Sequence, residues 1–378
     1  MIDRWDEYLR SAYRSSLGRR REELVTPALI VDLGLVKENI RFMMEQLGTM
    51  HAKLRPHIKC QKCAELARMQ VEAGAIGVCA ATVWEAIVMI HAGIEDVLIV
   101  NEVGGEQKIK ALAGAAREHR LTVAVDDKRN ASDLSEAACA AGSRLDVLIE
   151  IDVGMGRGGV RSSKEAVELA QHVDTLKALR LRGVQGYEGH CMQETDHGAR
   201  ERKVKEALAY VHETVDRLAA AGFACEVVSA GGTGTYDITA AVPFVTEIQA
   251  GSYVFMDNFH ANQAPGFQCA LTVLGTVVIE HGNTIVFDSG RKSIGIDYIL
   301  PTLAKYPQYR ARYFAEEHAV FDVDDACPLA LGDTAELVPG YAPTTVNLYD
   351  VYHVVENDVV VDVWPIIPRG GGHAGILE

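Results

Sequence analysis

The chain has 378 residues, 48% hydrophobic and 24% charged, with 34 Gly, 11 Pro and 7% aromatic side chains. That ordinary globular composition excludes collagen, coiled coil and disorder, and the length predicts two domains or one barrel-sized domain with an appendage. A formal net charge of −15 argues against nucleic acid or an anionic membrane as the main partner.

No run of about 18 apolar residues could span a bilayer. The charged opening MIDRWDEYLRSAYRSSLGRRREEL lacks the apolar segment of a secretory signal. A soluble cytoplasmic protein is expected, with its eight scattered cysteines as reduced thiols. Residues 1–25 read as a helical extension packed on the last domain. Short β-rich runs follow at 28–33, 54–59, 76–82, 96–102, 121–127, 145–153, 181–188, 226–233 and 245–255, at the spacing of βα units. Helical periodicity lies between them, at 36–47, 62–73, 84–92, 108–118 and 201–221. Cys60 and Cys63 form a CxxC, but no second pair follows at metal-ligand spacing, so they read as small side chains near a helix start. Eight or nine parallel strands without a composition break predict a (β/α)8 TIM-like barrel over 26–265 rather than an open sheet. After residue 266 strands follow one another without helices, which predicts a smaller antiparallel β domain over 266–378. Within it Glu356-Asn357-Asp358 is a hairpin turn between two Val-rich strands.

In such a barrel the C-terminal strand ends face one common site. Five of these ends are unusual. The second strand finishes Arg55-Pro56-His57-Ile58-Lys59, which puts a lysine where the strand turns out. VLIEIDVGMGRGGV ends in a Gly-rich loop with Arg157. VQGYEGHCMQE presents Tyr187, His190 and Gln193. VSAGGTGTYD carries Gly231, Gly232, Thr233, Gly234 and Thr235, and TEIQAGSYVFMD carries Gly251, Ser252 and Tyr253. Gly, Ser and Thr loops offer backbone N–H groups and hydroxyls to an anion, so the last two together read as a phosphate cradle. Neither has the Walker A or dinucleotide spacing. A lysine facing a phosphate cradle suggests a Schiff base with pyridoxal phosphate, since an amine among apolar neighbours and other cations is a free nucleophile.

The segments TPALIVDLGLVKENI, RPHIKCQK, VGMGRGGV, GYEGH, SAGGTGTYD, TEIQAGSYVFMD and VDVWPIIPRG together resemble the D-threonine aldolase and D-serine dehydratase family of pyridoxal phosphate enzymes. The resemblance covers residues 26 to about 370. It implies the alanine-racemase type of fold (fold type III), a barrel followed by a β domain, and a homodimer with a small amino acid as substrate. It further implies that Lys59, in RPHxK beside His57, carries the cofactor. By the same match Arg157 contacts the phenolic oxygen, Tyr187 lies beside the pyridine ring, and Gly232, Thr233 and Gly234 with Gly251, Ser252 and Tyr253 bind the phosphate.

One stretch departs from the family. Where the resemblance implies Pro-Gly/Asn-His-x-Cys/Asp-x-Thr with a His and a Cys or Asp as metal ligands, this chain reads Pro339-Gly340-Tyr341-Ala342-Pro343-Thr344. Proline has no donor atom and a lone phenol is a poor ligand for Mg²⁺, Mn²⁺ or Zn²⁺. No divalent metal is therefore expected. The family's basic histidine a few residues after the tyrosine position is Gln193 here, with His190 nearby to take over. The expected activity is a lyase acting on a D-configured β-hydroxy amino acid, by retro-aldol cleavage or dehydration, with Tyr341 and His190 as acid and base. The alternatives are a racemase or epimerase using tyrosine and lysine, and a non-enzymatic cofactor carrier.

Overall fold

The computed structural model describes residues 1–370. Its contacts divide the chain into two compact units that interleave along the sequence: Met1–Phe42, Cys60–Glu65 and residues 252–370 in one, Met43–Lys59 and Leu66–Gly251 in the other.

The first unit begins with helix α1 (Ile2–Ala12) and strand β1 (Ala28–Asp32). Leu9 of the helix is buried against Val351 and Val363, and Arg10 donates to the Val363 carbonyl at 2.8 Å. Helix α2 covers Leu33–Leu47.

The second unit is the barrel. Its strands are β2 (Lys53–Leu54), β3 (Val78–Ala80), β4 (Asp96–Glu102), β5 (Arg120–Val125), β6 (Leu145–Glu150), β7 (Leu179–Gly186), β8 (Val227–Ala230) and β9 (Glu247–Ile248), all paired in parallel. Their order is β2-β9-β8-β7-β6-β5-β4-β3. The gap between β2 and β3 is bridged by a parallel contact of His57 with Cys79 and by the Ile76 N–H to Leu54 carbonyl bond at 2.9 Å. Between strands run α3 (Ala64–Glu72), α4 (Val83–His91), α5 (Glu106–Ala115), α6 (Lys128–Ala141), α7 (Ser163–Asp174), α8 (His197–Ala220) and the short α9 (Tyr236–Thr239). Thr82, Asp127, Ser162 and Asp196 cap four of these helices with side-chain oxygens, each accepting an otherwise orphaned N–H. At the N-terminal strand ends the buried Arg55 pairs with Glu247 at 3.1 Å and Asp96 at 2.8 Å. Carboxylates at that end hold the barrel together rather than line the mouth.

The first unit completes an antiparallel-rich sheet from β10 (Leu271–His281), β11 (Thr284–Phe287), β12 (Thr302–Leu303), β13 (Arg310–Phe314), β14 (Ala319–Asp322), β15 (Thr334–Val338), β16 (Val351–Glu356) and β17 (Val359–Pro365), with helix α10 (Ala342–Val346) before β16. The hairpin between β16 and β17 turns on Asn357 and Asp358, both at positive φ, as a two-residue loop of that handedness demands.

One strand differs from expectation. Ala28–Asp32 was expected in the barrel domain, but it pairs antiparallel with β10 and parallel with β16. The segment from 26 to 42 thus belongs with the β unit, and the expected boundary at residue 26 moves. A continuous apolar run states burial on both faces and does not name the sheet that provides it.

Candidate active site

Lys59 stands on a 3₁₀ turn, Ile58–Cys60, just beyond the two-residue strand β2, rather than on a strand running through it as the apolar run predicts. Two hydrogen bonds register this stretch: the Arg55 N–H to the Ile248 carbonyl at 2.9 Å and the His57 N–H to the Ala250 carbonyl at 3.3 Å. The His57 ring is buried, with Nδ1 3.2 Å from the Cys79 carbonyl oxygen and 3.4 Å from the Lys59 backbone nitrogen.

Lys59 Nζ lies over the Tyr187 ring, 5.5 Å from its centroid. The Arg157 guanidinium lies over the same ring at 6.0 Å. Arg157 comes from the Gly-rich loop after β6. Asp152 shapes that loop by accepting the Gly154 and Gly156 amides at 3.1 and 2.9 Å, and Asp126 accepts the Gly159 amide at 2.9 Å. Three residues expected at one site are therefore brought to one aromatic platform at the C-terminal end of the strands.

The loop after β8 touches that platform. A Cβ at Gly232 would stand 2.1 Å from Met192 Cε and 3.3 Å from Tyr187 Cε2, so only a glycine lets the loop backbone come this close to Met192 and the ring. Thr233, Gly234 and Thr235 are buried there. The lysine, the guanidinium, the aromatic face and the buried Gly/Thr loop beside it together fit pyridoxal phosphate, whose aldehyde, phenolic oxygen, ring and phosphate call for those four features.

The remaining predicted residues have other surroundings. His190 and Gln193 are exposed on the 3₁₀ turn Gly189–Gln193. His190 Nε2 is 3.6 Å from Cys191 Sγ, and the ring packs over Gly154. Gly251 closes the barrel unit, while Ser252 and Tyr253, both buried, open a 3₁₀ turn of the β unit. Tyr341, also in the β unit, sits in an aromatic cluster: its ring is 6.0 Å from Phe259, 5.9 Å from His260 and 5.1 Å from Tyr298. Beneath it the fully buried Asp257 accepts the His260 Nδ1 and the Ala342 N–H, each at 2.8 Å.

Two carboxyls that the strand-end reading missed belong to the barrel mouth. Glu150, at the end of β6, is buried and lies 3.9 Å from Arg157. It accepts the Gln185 amide, which continues as a polar chain to Gln249 and Ser229 at 2.8 Å per link. Burial above all, with Glu102 nearby, pushes the Glu150 carboxyl up to about 8 against the pull of Gln185 and Arg157. Glu188, next to Tyr187, has no exposed surface. It accepts hydrogen bonds from the Gly231 amide at 3.0 Å and from the hydroxyls of Thr235 at 2.8 Å and Thr239 at 2.5 Å. The available sequence signal was the spacing of Thr235 and Thr239, one helical turn apart, on the element facing the end of β7.

Residues 31–259 match the family described as alanine racemase, N-terminal domain, and residues 270–355 match a serine dehydratase domain. A D-threonine aldolase of Arthrobacter sp. is 36% identical over 351 residues, covering 91% of this chain and 93% of that protein. A 3-hydroxy-D-aspartate aldolase of Paracoccus denitrificans is 36% identical over 369 residues, covering 94% of this chain and 95% of that protein. The crystal structure of D-threonine aldolase from Filomicrobium marinum aligns with a TM-score of 0.91 at 36% identity, covering 93% of this chain and 98% of that one. A barrel with this mouth, a β unit with its own domain match, and relatives alike over nearly their whole length give one answer: the chain belongs to the D-threonine aldolase and D-serine dehydratase family of pyridoxal phosphate enzymes, built on the alanine-racemase type of fold.

Proposed function

We propose that this protein is a lyase that cleaves a D-configured β-hydroxy amino acid between Cα and Cβ, using pyridoxal phosphate and no divalent metal. The observation that carries the reading is the convergence of Lys59 and Arg157 on the Tyr187 ring, against which the Gly232 backbone packs. Bound there, pyridoxal phosphate supplies an electron sink for the pair released at Cα. In this reading Lys59 would hold the cofactor through Nζ, the same atom being the one on which this chain can hold or deliver a proton. Arg157 holds the phenolic oxygen by charge-assisted hydrogen bonds. Gly232, Thr233, Gly234, Gly251, Ser252 and Tyr253 bind the phosphate, and His57 fixes the approach of Lys59. Tyr341 and His190 take the acid and base roles toward the β-hydroxyl, and Gln193, a carboxamide, orients by hydrogen bonding without moving a proton.

The side chains at 341–344 do not fit a divalent cation. Ala342 and Pro343 have no donor atom, the Tyr341 ring is packed among aromatics, and the Asp257 oxygens are committed to His260 and Ala342. Proton transfer, a contribution of about 10² to 10⁴ in rate, takes the place of the metal's charge. Aldol cleavage is preferred to dehydration or racemisation because the two relatives at 36% identity are both named aldolases. We also propose a cytoplasmic homodimer.

The test is release of aldehyde and glycine from a panel of D- and L-β-hydroxy amino acids, with and without EDTA. Aldehyde from D-substrates in EDTA supports the reading. Ammonia or the opposite enantiomer as sole product transfers it to dehydration or racemisation. Activity lost in EDTA and restored by Mn²⁺ removes the metal-free part.

A further inference from the structure

We infer that Glu188 is a positioning residue for the cofactor's phosphate: its buried carboxylate fastens the 231–235 loop in register with the Tyr187 ring. The inference rests on the proposed placement of pyridoxal phosphate at Lys59 and goes beyond it to a residue in contact with neither.

The argument starts from backbone accounting. Five amides run through this loop. The Gly231 N–H donates to Glu188 at 3.0 Å, the Gly232 N–H to the Thr235 hydroxyl oxygen at 3.1 Å, and the Thr235 N–H to the Gly232 carbonyl at 3.1 Å. Three of the five are committed inside the protein, so the loop's own hydrogen bonds set the course of its backbone. What sets that geometry is one carboxylate. It takes the amide before the turn, the Thr235 hydroxyl at the start of α9 and the Thr239 hydroxyl one turn later, and so clasps the loop from both sides.

A buried anion beside an anion-binding loop is electrostatically adverse, and a site evolved only for rigidity could use an apolar contact here. A carboxylate suits the position because its two oxygens accept three converging hydrogen bonds while presenting no donor of their own. Its chain position supplies the register. Residue 187 carries the ring that underlies Lys59 and Arg157, residue 188 carries the clasp, and Gly232, next to the clasped Gly231, abuts the same ring. One dipeptide thereby fixes the distance between the ring end and the phosphate end of the cofactor site.

The substitution Glu188→Gln tests this with little change of volume. Gln keeps one acceptor; its NH₂ either faces the Gly231 N–H, which cannot accept, or reverses both hydroxyl bonds and leaves the buried Thr235 and Thr239 O–H hydrogens without their acceptor, so the clasp loses a bond in either flip. The measurement is the affinity of the full-length apo-protein for pyridoxal phosphate and for pyridoxal, each read by absorbance titration. Wild type is expected to prefer the phosphorylated form strongly. E188Q is expected to lose about tenfold to hundredfold of its affinity for pyridoxal phosphate, the cost of one unmade hydrogen bond to a charged group, and to keep its pyridoxal affinity within about twofold. If both affinities fall together, or neither changes, the inference is overturned while the Lys59 site stands. A wild-type protein that binds neither form overturns the parent reading as well. Should E188Q fail to fold, Thr239 decides: Thr239→Val, nearly isosteric and without the donor, should show the same selective loss, and Thr239→Ser should restore it. Equal behaviour of these two variants counts against the clasp.

Discussion

Glu150 illustrates how a residue's surroundings set its chemistry. A carboxyl at the end of β6, enclosed by the barrel and held near 8 chiefly by burial, keeps a proton in the folded state that the unfolded chain releases near 4.5. Between those values the folded state binds more protons than the unfolded one, so stability falls as pH rises through the window and levels off above about 8. Glu150→Gln removes the titration while keeping an acceptor for Gln185. The difference in melting temperature between variant and wild type is expected to grow in the variant's favour from pH 5 to pH 8.5. A difference that stays constant across that range would show that Glu150 is not the group responsible. Glu150 could not be picked out in the sequence, and Glu188 only through the Thr235 and Thr239 spacing, because a carboxylate at a strand end reads the same whether water or protein surrounds it, and burial is decided by chain segments far away. Lys59, Arg157 and Tyr187 were legible because lysine, arginine and an aromatic at three strand ends of one barrel have a common destination.

At the scale of elements, the barrel strands were readable and their lengths were not. The run 54–59 looks like a strand that ends in Lys59, yet the regular strand is only Lys53–Leu54, isolated pairing continues to His57, and a 3₁₀ turn carries the lysine. The run 245–255 likewise is a regular strand only at Glu247–Ile248, with single backbone bonds from Thr246 to Ala250, before a turn at Ser252. Apolar residues continue past the last paired position because the mouth is buried too, so hydrophobicity overstates the strand. The pairing of β7 with β8 depends on a detail no periodicity reveals. Gly183 has φ +150°, and a Cβ there would lie 1.9 Å from the Val227 carbonyl oxygen, a backbone atom that cannot move aside alone. Gly183→Ala is expected to cost at least about 3 kcal/mol, read as a lowered urea midpoint. A midpoint unchanged within error would mean that the two strands can separate locally at little cost.

For the whole molecule the informative fact is the order in which the chain visits its units. Strand β1 lies between β10 and β16, so the sheet of the first unit has a central strand from residues 28–32 and flanking strands from beyond residue 270. A polypeptide of residues 252–370 alone should therefore lack cooperative unfolding, followed by near-UV circular dichroism, and should gain it when a peptide of residues 1–42 is added. Cooperative melting without that peptide would show that β10 and β16 close on each other. Local pattern located β1 and could not assign it, since a strand's partners are fixed by loop closure over hundreds of residues and not by its own five side chains.

The same interleaving bears on how the protein is made. A ribosome adding roughly 5 to 20 residues per second releases Ala-Leu-Ile-Val of β1 on the order of 10 to 50 s before the strand at Leu271 exists to pair with it. During that interval the nascent chain carries an unpaired apolar strand, which is the kind of edge that recruits other chains. Until Leu271 is made, shielding of Ala28–Asp32 has to come from something other than its final neighbours.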